Sequence, residues 1–192
     1  MKRTPFTLIE LMVVMAIMAI LASLLFPIIA KVRLNARITE AKAQMILIEN
    51  AIQGYEAAYF AMPWTDGNTD SPSGTFNDAV WNDWTSADQC RFYDKLMELL
   101  SCSNTPNAYG LKNARGMRLL PPPRKFSETG MIDFWGNRFG IAMDLNSDGR
   151  ISGTGTPLDG QAGKVFIWSF GPNKMNEWGD RISPKDDIPS WK

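Results

Sequence analysis

Hydrophobic and polar positions divide the chain into three parts. Between positions 11 and 30 only Ser23 and Pro27 lie outside the plain apolar set, and such a run can cross ~30 Å of hydrocarbon as a helix. Between positions 34 and 59 apolar residues recur every three or four places, which predicts an amphipathic helix with one face to pack. That apolar stripe consists of Leu34, Ile38, Ala41, Met45, Ile48, Ile52, Tyr55 and Tyr59. No Gly-Pro punctuation separates the two segments, so we predict one helix from about residue 6 to residue 60, kinked near Pro27 because its ring removes a backbone donor.

The rest of the chain loses the helical period. Residues 62–89 are rich in Gly, Ser, Asp, Asn and Trp, which predicts a long ordered loop. Residues 90–102 space their apolar side chains like a short helix, whereas residues 137–145 and 164–170 are short alternating runs typical of strands. The predicted fold class is therefore α+β.

In the predicted architecture, a long N-terminal helix packs on a small C-terminal antiparallel sheet. We expect a membrane-spanning helix over residues 6–30 and its amphipathic continuation over 31–60. A globular head follows over residues 61–192, with a variable loop region at 61–130 and a β-rich region at 131–192.

Charge and composition exclude several function classes. The chain has 20 basic and 20 acidic residues, so it lacks the basic excess of a nucleic-acid-binding protein. It has no histidine, which removes Ser-His-Asp triads, Cys-His pairs and His-ligated zinc. Carboxylates can still act as acid and base, but we expect a protein that is not an enzyme.

Cys90 and Cys102 are the two cysteines of the chain. Their spacing fits no CxxC metal or redox motif. Outside the cytoplasm they would form a local disulfide, and the alternative is a pair of small hydrophobic thiols.

The segment PFTLIELMVVMAIMAILASLLFP resembles the class III signal of type IV pilins and type II secretion pseudopilins. In that family a dedicated peptidase cuts before the Phe on the cytoplasmic side and methylates the new N-terminus. The resemblance implies a leader over residues 1–5, cleavage between Pro5 and Phe6, and an N-methylated Phe6. Glu10 and Pro27 match the acid and the mid-helix proline of the family. Pro5 stands where the family prefers glycine.

The last sixty residues resemble one branch of this family, the major pseudopilin of type II secretion. The stretch DFWGNRFG at positions 133–140 is similar to its D-x-W-G-N-x-[YF] signature, and the end of the chain is similar to its closing segment. The closing loops of that pseudopilin bind one structural calcium ion. The resemblance implies four calcium ligands here, which are the Phe170 backbone oxygen, Asn173, Asp186 and Asp187.

A second acidic loop, DLNSDGRIS, offers an alternative calcium site. Asp144, Asn146 and Asp148 occupy alternate positions before a glycine, and Arg150 would offer its carbonyl, as in the first half of an EF-hand loop. The twelfth position is a glycine instead of the bidentate Glu, so a complete EF-hand is not predicted. A solvated D-G turn between two strands is the other interpretation.

The resemblance implies a structural subunit that forms a helical homo-oligomeric filament, a pseudopilus that helps to export folded proteins. Its implied partners are other minor pseudopilins, the inner-membrane assembly platform and the prepilin peptidase, with no nucleic acid. The implied location is the bacterial inner membrane, crossed once, with the head in the periplasm. Glu10 would pair with the amine of Phe6 on a neighbouring subunit.

Two other functions remain open at this point. One is a type IV pilin for adhesion, motility or DNA uptake. The other is a membrane-anchored carbohydrate-binding or carboxylate-enzyme module that uses Trp64, Trp81 and Trp84. More simply, these tryptophans pack the head.

Overall fold

The computed structural model describes residues 7–63, 78–81, 85, 87–102, 113, 115–121, 130–151, 158, 160–177 and 186–191. Its elements, in chain order, are α1 (Leu8–Tyr59), β1 (Ala79–Trp81), α2 (Ala87–Ser101), β2 (Gly140–Met143), β3 (Val165–Ser169) and β4 (Ile188–Pro189). A long N-terminal helix and a small antiparallel sheet confirm the predicted α+β, pilin-like fold class. The chain divides into two compact units, Met1–Thr39 and Glu40–Lys192.

The first unit contains the apolar part of α1. Large hydrophobic side chains are exposed along it from Leu8 to Leu34. Within the described part of the chain, α1 is the helix that is long and apolar enough to cross a membrane, and its most apolar 18-residue window is not buried at all. The helix is continuous through position 27, and a kink there stays a prediction. A polypeptide in water would not leave such a surface uncovered, which agrees with a membrane anchor.

The second unit begins with the C-terminal part of α1, whose predicted apolar stripe is buried. The fully buried members are Ala41, Met45, Ile48, Ile52 and Tyr55. Lys164 Nζ donates a 2.5 Å hydrogen bond to Glu56 Oε1, and this contact raises the pKa of Lys164. At the end of the helix, Tyr59 Oη donates to Asn113 Oδ1. The predicted amphipathic face is confirmed for this part of the helix.

The sheet has four antiparallel strands in the order β1-β2-β3-β4. Strands β2 and β3 fall in the two runs predicted as strands, and both are completely buried. The interpretation of residues 62–89 as a loop is wrong at two places, because β1 pairs with β2 and α2 already begins at Ala87. Strand β4 is also new. Both outer strands are too short to show a two-residue period, and their pairing depends on the neighbouring strand.

Trp168 organises the core on one face of the sheet. It is fully buried, and its cross-strand partner is Gly140. A Cβ built on Gly140 would lie 2.2 Å from Trp168 Cε2, so the indole occupies the space above this glycine. Trp191 packs edge-to-face on Phe166 and Trp168, with ring centroids 5.1 and 6.4 Å apart. The rest of this cluster consists of Ala142, Ile151, Leu158 and Phe170.

Substitution of Gly140 by alanine is expected to destabilise the head strongly, because the new Cβ would overlap the fully buried indole of Trp168. Overpacking of this kind costs about 3 kcal/mol, which lowers the melting temperature by about 6–12 °C. The matched control is Gly54→Ala. Among the described residues a Cβ there meets only Leu119 Cδ2, at 3.4 Å, so the helix should gain about 0.5–1 kcal/mol. Thermal unfolding followed by circular dichroism measures both changes, and a Gly140→Ala protein that melts like the wild type would contradict this packing.

Candidate functional site: the start of α1 and a candidate metal centre

The start of α1 is closed by a capping box formed by Thr7 and Glu10. Glu10 Oε2 accepts hydrogen bonds from the Thr7 amide at 2.8 Å and from Thr7 Oγ1 at 2.7 Å. In return, the Glu10 amide donates to Thr7 Oγ1 at 3.3 Å. This reciprocal pattern is the one that T-x-x-E sequences form at helix N-termini. Glu10 is therefore hydrogen-bonded within its own chain, at the positive end of the helix dipole.

The predicted cleavage site directly precedes this capping box in the sequence. Pro5 and Phe6 lie outside the described residues. The expected contact between Glu10 and a Phe6 amine therefore stays a prediction.

A cluster of three carboxylates lies in the C-terminal loops of the head. Ligand oxygens of Glu177, Asp186 and Asp187 lie within 4.8 Å of one another, and we call this group the acidic triad. Glu177 is only 7% exposed. Asp186 and Asp187 lie directly before β4, which pairs with β3 and thereby holds them beside the loop that follows β3.

Backbone amides of the two loops orient the three carboxylates. The Asn173 amide donates to Asp186 Oδ2 at 3.2 Å, the Asp186 amide to Glu177 Oε2 at 3.2 Å, and the Glu177 amide to Asp187 Oδ2 at 3.0 Å. Each acid thus has one oxygen held by the chain itself. Such fixed carboxylates are pre-organised to share a ligand instead of turning out to solvent.

The acidic triad fits a hard divalent cation. The second oxygen of Asp186, Oδ1, is buried and has no hydrogen-bond partner within the described part of the chain. No lysine or arginine of the described residues forms an ion pair with Glu177 or Asp186. Calcium prefers clustered carboxylate and carbonyl oxygens of this kind, and a cation would relieve the mutual repulsion of the three charges.

The structure brings together only part of the ligand set that the resemblance implied. Asp186 and Asp187 lie in the acidic triad, as expected. Asn173 lies in the same pair of loops, but its Oδ1 accepts the Met175 amide at 2.8 Å. Phe170 directly follows β3 and is buried.

Glu177 is a member of the acidic triad that was not among the predicted ligands. The signal for it was weak, because this acid lies nine positions before Asp186 in a stretch that also contains Asp180. Only the pairing of β4 with β3 brings Glu177 to the pair of aspartates.

The alternative loop at residues 144–150 uses its oxygens internally. Asp144 accepts the amides of Ser147 at 2.6 Å and Gly149 at 2.8 Å. Asn146 Oδ1 accepts the Asp148 amide, and Asp148 Oδ1 accepts the Arg150 amide, both at 2.8 Å. These are the local bonds of a D-G turn, so the turn interpretation explains every side chain of the pattern. The acidic triad differs from this loop in one respect, because its buried Asp186 Oδ1 has no hydrogen-bond partner within the described part of the chain.

The prediction of a disulfide between Cys90 and Cys102 is wrong. The structure contains both residues as thiols. Cys90 lies in the first turn of α2, and Cys102 directly follows its last residue. Cys102 lies twelve positions after Cys90, which corresponds to a rise of ~18 Å along a helix, whereas a disulfide needs Cα atoms within about 7 Å. The helix predicted for residues 90–102 and the disulfide were mutually exclusive, and the helix is correct.

Reducing agent is therefore expected to leave the melting temperature unchanged. Alkylation of the denatured protein without prior reduction should add two alkyl groups, because both thiols are available. Intact mass spectrometry measures the adducts. A protein that gains adducts only after reduction would contradict the helical separation of Cys90 and Cys102.

Comparison with known proteins identifies the N-terminal segment. The family model of the prokaryotic N-terminal methylation motif matches residues 6–26. Neither a curated protein nor a solved structure gives a significant match to the chain. The motif and the fold together support a type IV pilin-like protein, which is a subunit of a pilus or of a pseudopilus. Such a motif implies processing by a prepilin peptidase and assembly into filaments with other pilins, and together with the apolar helix it is consistent with membrane anchoring.

Proposed function

We propose that this chain is a structural, non-enzymatic subunit of a type II secretion pseudopilus. The methylation motif supports a filament subunit but is common to pilins and pseudopilins. The observation that favours the pseudopilus is the acidic triad at the C-terminal end, where the resemblance to the major pseudopilin implies a calcium site. A pilin of the other class usually closes its C-terminal region with a disulfide, and the two cysteines here lie at the two ends of α2.

The assembly mechanism starts at α1. Before assembly the subunit lies in the inner membrane, with its exposed apolar residues in hydrocarbon and its head in the periplasm. After cleavage before Phe6, the apolar parts of many α1 helices bundle in the filament core. Glu10 then exchanges its Thr7 contacts for the amine of a neighbouring Phe6, so that each buried charge is offset by its partner. The pairing also sets the register between subunits.

The role proposed for calcium is structural. A divalent ion in the acidic triad would supply positive charge that joins the loop after β3 to the loop before β4. The chain contributes the pre-oriented oxygens of Glu177, Asp186 and Asp187. Binding to the folded head alone stabilises it by mass action, and sites with Kd values of ~10⁻⁴ to 10⁻³ M are filled outside the cytoplasm.

The mature N-terminus tests the proposed class most directly. We expect mass spectrometry of the purified protein to give a chain that begins at Phe6 and carries one N-methyl group. A protein that retains residues 1–5 when the prepilin peptidase is present would contradict the assignment.

Deletion of the gene separates the pseudopilus from the pilus. If the chain is a pseudopilus subunit, proteins that are normally secreted should accumulate in the periplasm of the deletion strain, and surface pili should be unchanged. Loss of surface pili with normal secretion would instead assign the chain to the pilin class.

A further inference from the structure

A second buried carboxylate, Asp133, lies outside the acidic triad. It is only 3% exposed. Its Oδ1 accepts the amides of Trp135 at 2.9 Å and Asn137 at 2.7 Å. Its Oδ2 accepts Ser169 Oγ at 2.7 Å and Asn137 Nδ2 at 3.4 Å. All four donors are neutral groups, so Asp133 forms the centre of a hydrogen-bond network that has no cationic member among the described residues.

This network leads to Gly171. Ser169 Oγ donates to Asp133 and also accepts the Gly171 amide at 3.2 Å. Asn137 Nδ2 is shared between Asp133 and the Gly171 carbonyl oxygen, which lies 3.4 Å away. Both polar backbone groups of Gly171 are therefore bonded to residues that Asp133 itself holds.

Gly171 in turn packs against Asp186. A Cβ built on Gly171 would lie 2.5 Å from the Asp186 carbonyl oxygen and 3.2 Å from Asp186 Cγ. Gly171 also has a φ of 65°, a left-handed conformation that favours glycine. The backbone of Gly171 therefore packs closely against Asp186. A shift of Gly171 would change the position of the Asp186 carboxylate in the acidic triad.

We propose that Asp133 is a positioning residue for the metal centre. It holds Gly171 through Ser169 and Asn137, and Gly171 fixes the place of Asp186 relative to Glu177. This inference rests on the proposed function, in which the acidic triad binds calcium. Residues that orient metal ligands from outside change metal affinity by ~10- to 100-fold when they are removed. The D-x-W-G-N stretch, residues 133–137, then positions the metal centre although it supplies no ligand.

The test measures calcium affinity and metal-free stability separately, on the full chain in detergent micelles. Isothermal titration with calcium chloride gives the Kd, and melting in EDTA gives the stability. Ser169→Ala removes the link between Asp133 and the Gly171 amide, and Asn137→Ala removes the link to the Gly171 carbonyl at a half-buried position. Each variant is expected to raise the calcium Kd about tenfold.

Tyr93→Phe is the matched control. Tyr93 is fully buried, and its Oη donates to the Met131 carbonyl at 2.5 Å, so its loss weakens the same part of the head. Its hydroxyl bonds the Met131 carbonyl and the Phe139 amide, which lie outside the path from Asp133 through Ser169 and Asn137 to Gly171. This variant is expected to melt earlier in EDTA and to keep the wild-type Kd within about twofold, because only the positioning variants displace a ligand.

Three outcomes would overturn the inference. Wild-type Kd values in the folded Ser169→Ala and Asn137→Ala proteins would refute it while leaving the proposed calcium site intact. An equal loss of affinity in Tyr93→Phe would assign the effect to general stability. A wild-type protein that binds no calcium would remove the calcium site itself, and with it the positioning role. If Ser169→Ala does not fold, Asn137→Ala decides the question.

Discussion

Replacement of Glu10 by leucine is expected to abolish filament assembly while the subunit still inserts into the membrane and folds its head. Glu10 lies in the apolar part of α1, where a lone carboxylate is costly and its removal makes insertion easier. The head begins at Glu40 as a separate compact unit, so its fold does not depend on Glu10. What the variant loses is the charge that pairs with a neighbouring amine. Chemical crosslinking of neighbouring subunits in intact cells, with fractionation of membranes, measures both properties.

Glutamine at position 10 separates the two roles of the carboxylate. The capping box accepts glutamine, because its amide oxygen can still receive the Thr7 hydrogen bonds. If Glu10 serves only to cap α1, the Glu10→Gln subunit should assemble normally. We expect it to fail like the leucine variant, because a neutral side chain does not offset a buried ammonium group. Thr7→Ser keeps both donors and should assemble. Normal filaments from Glu10→Gln would defeat the proposed charge pair.

The sequence predicted α1 and the central strands because their signals are local and strong. The stripe that includes Met45, Ile48 and Ile52 repeats over many turns, so noise at single positions does not hide it. Strands β2 and β3 are apolar runs bounded by polar turn residues, which the structure confirms. Both strands are buried on both faces, however. The expected alternation of buried and exposed side chains is therefore absent. The two strands were predicted correctly because of their apolar composition and not because of a two-residue period.

The elements that were missed depend on distant partners. Strand β1 consists of three residues and β4 of two, too few for any pattern, and each forms because a neighbouring strand offers unpaired backbone groups. Glu177 joins the acidic triad for the same reason. Its loop meets Asp186 and Asp187 only after β4 has paired with β3. The resemblance predicted Asp186 and Asp187 as ligands. Glu177 could be found only from the pairing of β4 with β3.

The acidic loop at residues 144–150 shows how one sequence pattern fits two interpretations. The spacing of Asp144, Asn146 and Asp148 is the one that an EF-hand uses, and it equally suits successive turns closed by side-chain oxygens. The structure has those turns, with Ser147 and Gly149 at φ values of 63° and 82°. The spacing in the sequence determines which side-chain oxygens lie near one another. The number of hydrogen bonds that these oxygens accept from backbone amides determines how many lone pairs are left to bind a cation.

Removal of calcium by EDTA is expected to lower the melting temperature of the head by about 5 °C. At a calcium concentration ten to one hundred times Kd, binding stabilises the folded state by about 1.4–2.7 kcal/mol, and each kcal/mol shifts melting by about 2–4 °C in a domain of this size. Addition of calcium should restore the transition. A head that melts identically in EDTA and in calcium would contradict the calcium site and leave the filament assignment intact.

Asp186→Asn and Asp148→Asn distinguish the two candidate loops. Asparagine at 186 keeps an oxygen for the Asn173 amide but removes one of three charges crowded within 4.8 Å. The metal-free head should therefore melt later than the wild type, and calcium should no longer stabilise it. Asp148 is exposed and lies in the D-G turn, so its variant should keep the full calcium response. A calcium response that is lost in Asp148→Asn and kept in Asp186→Asn would move the site to the other loop, because only a ligand contributes its charge to the bound ion.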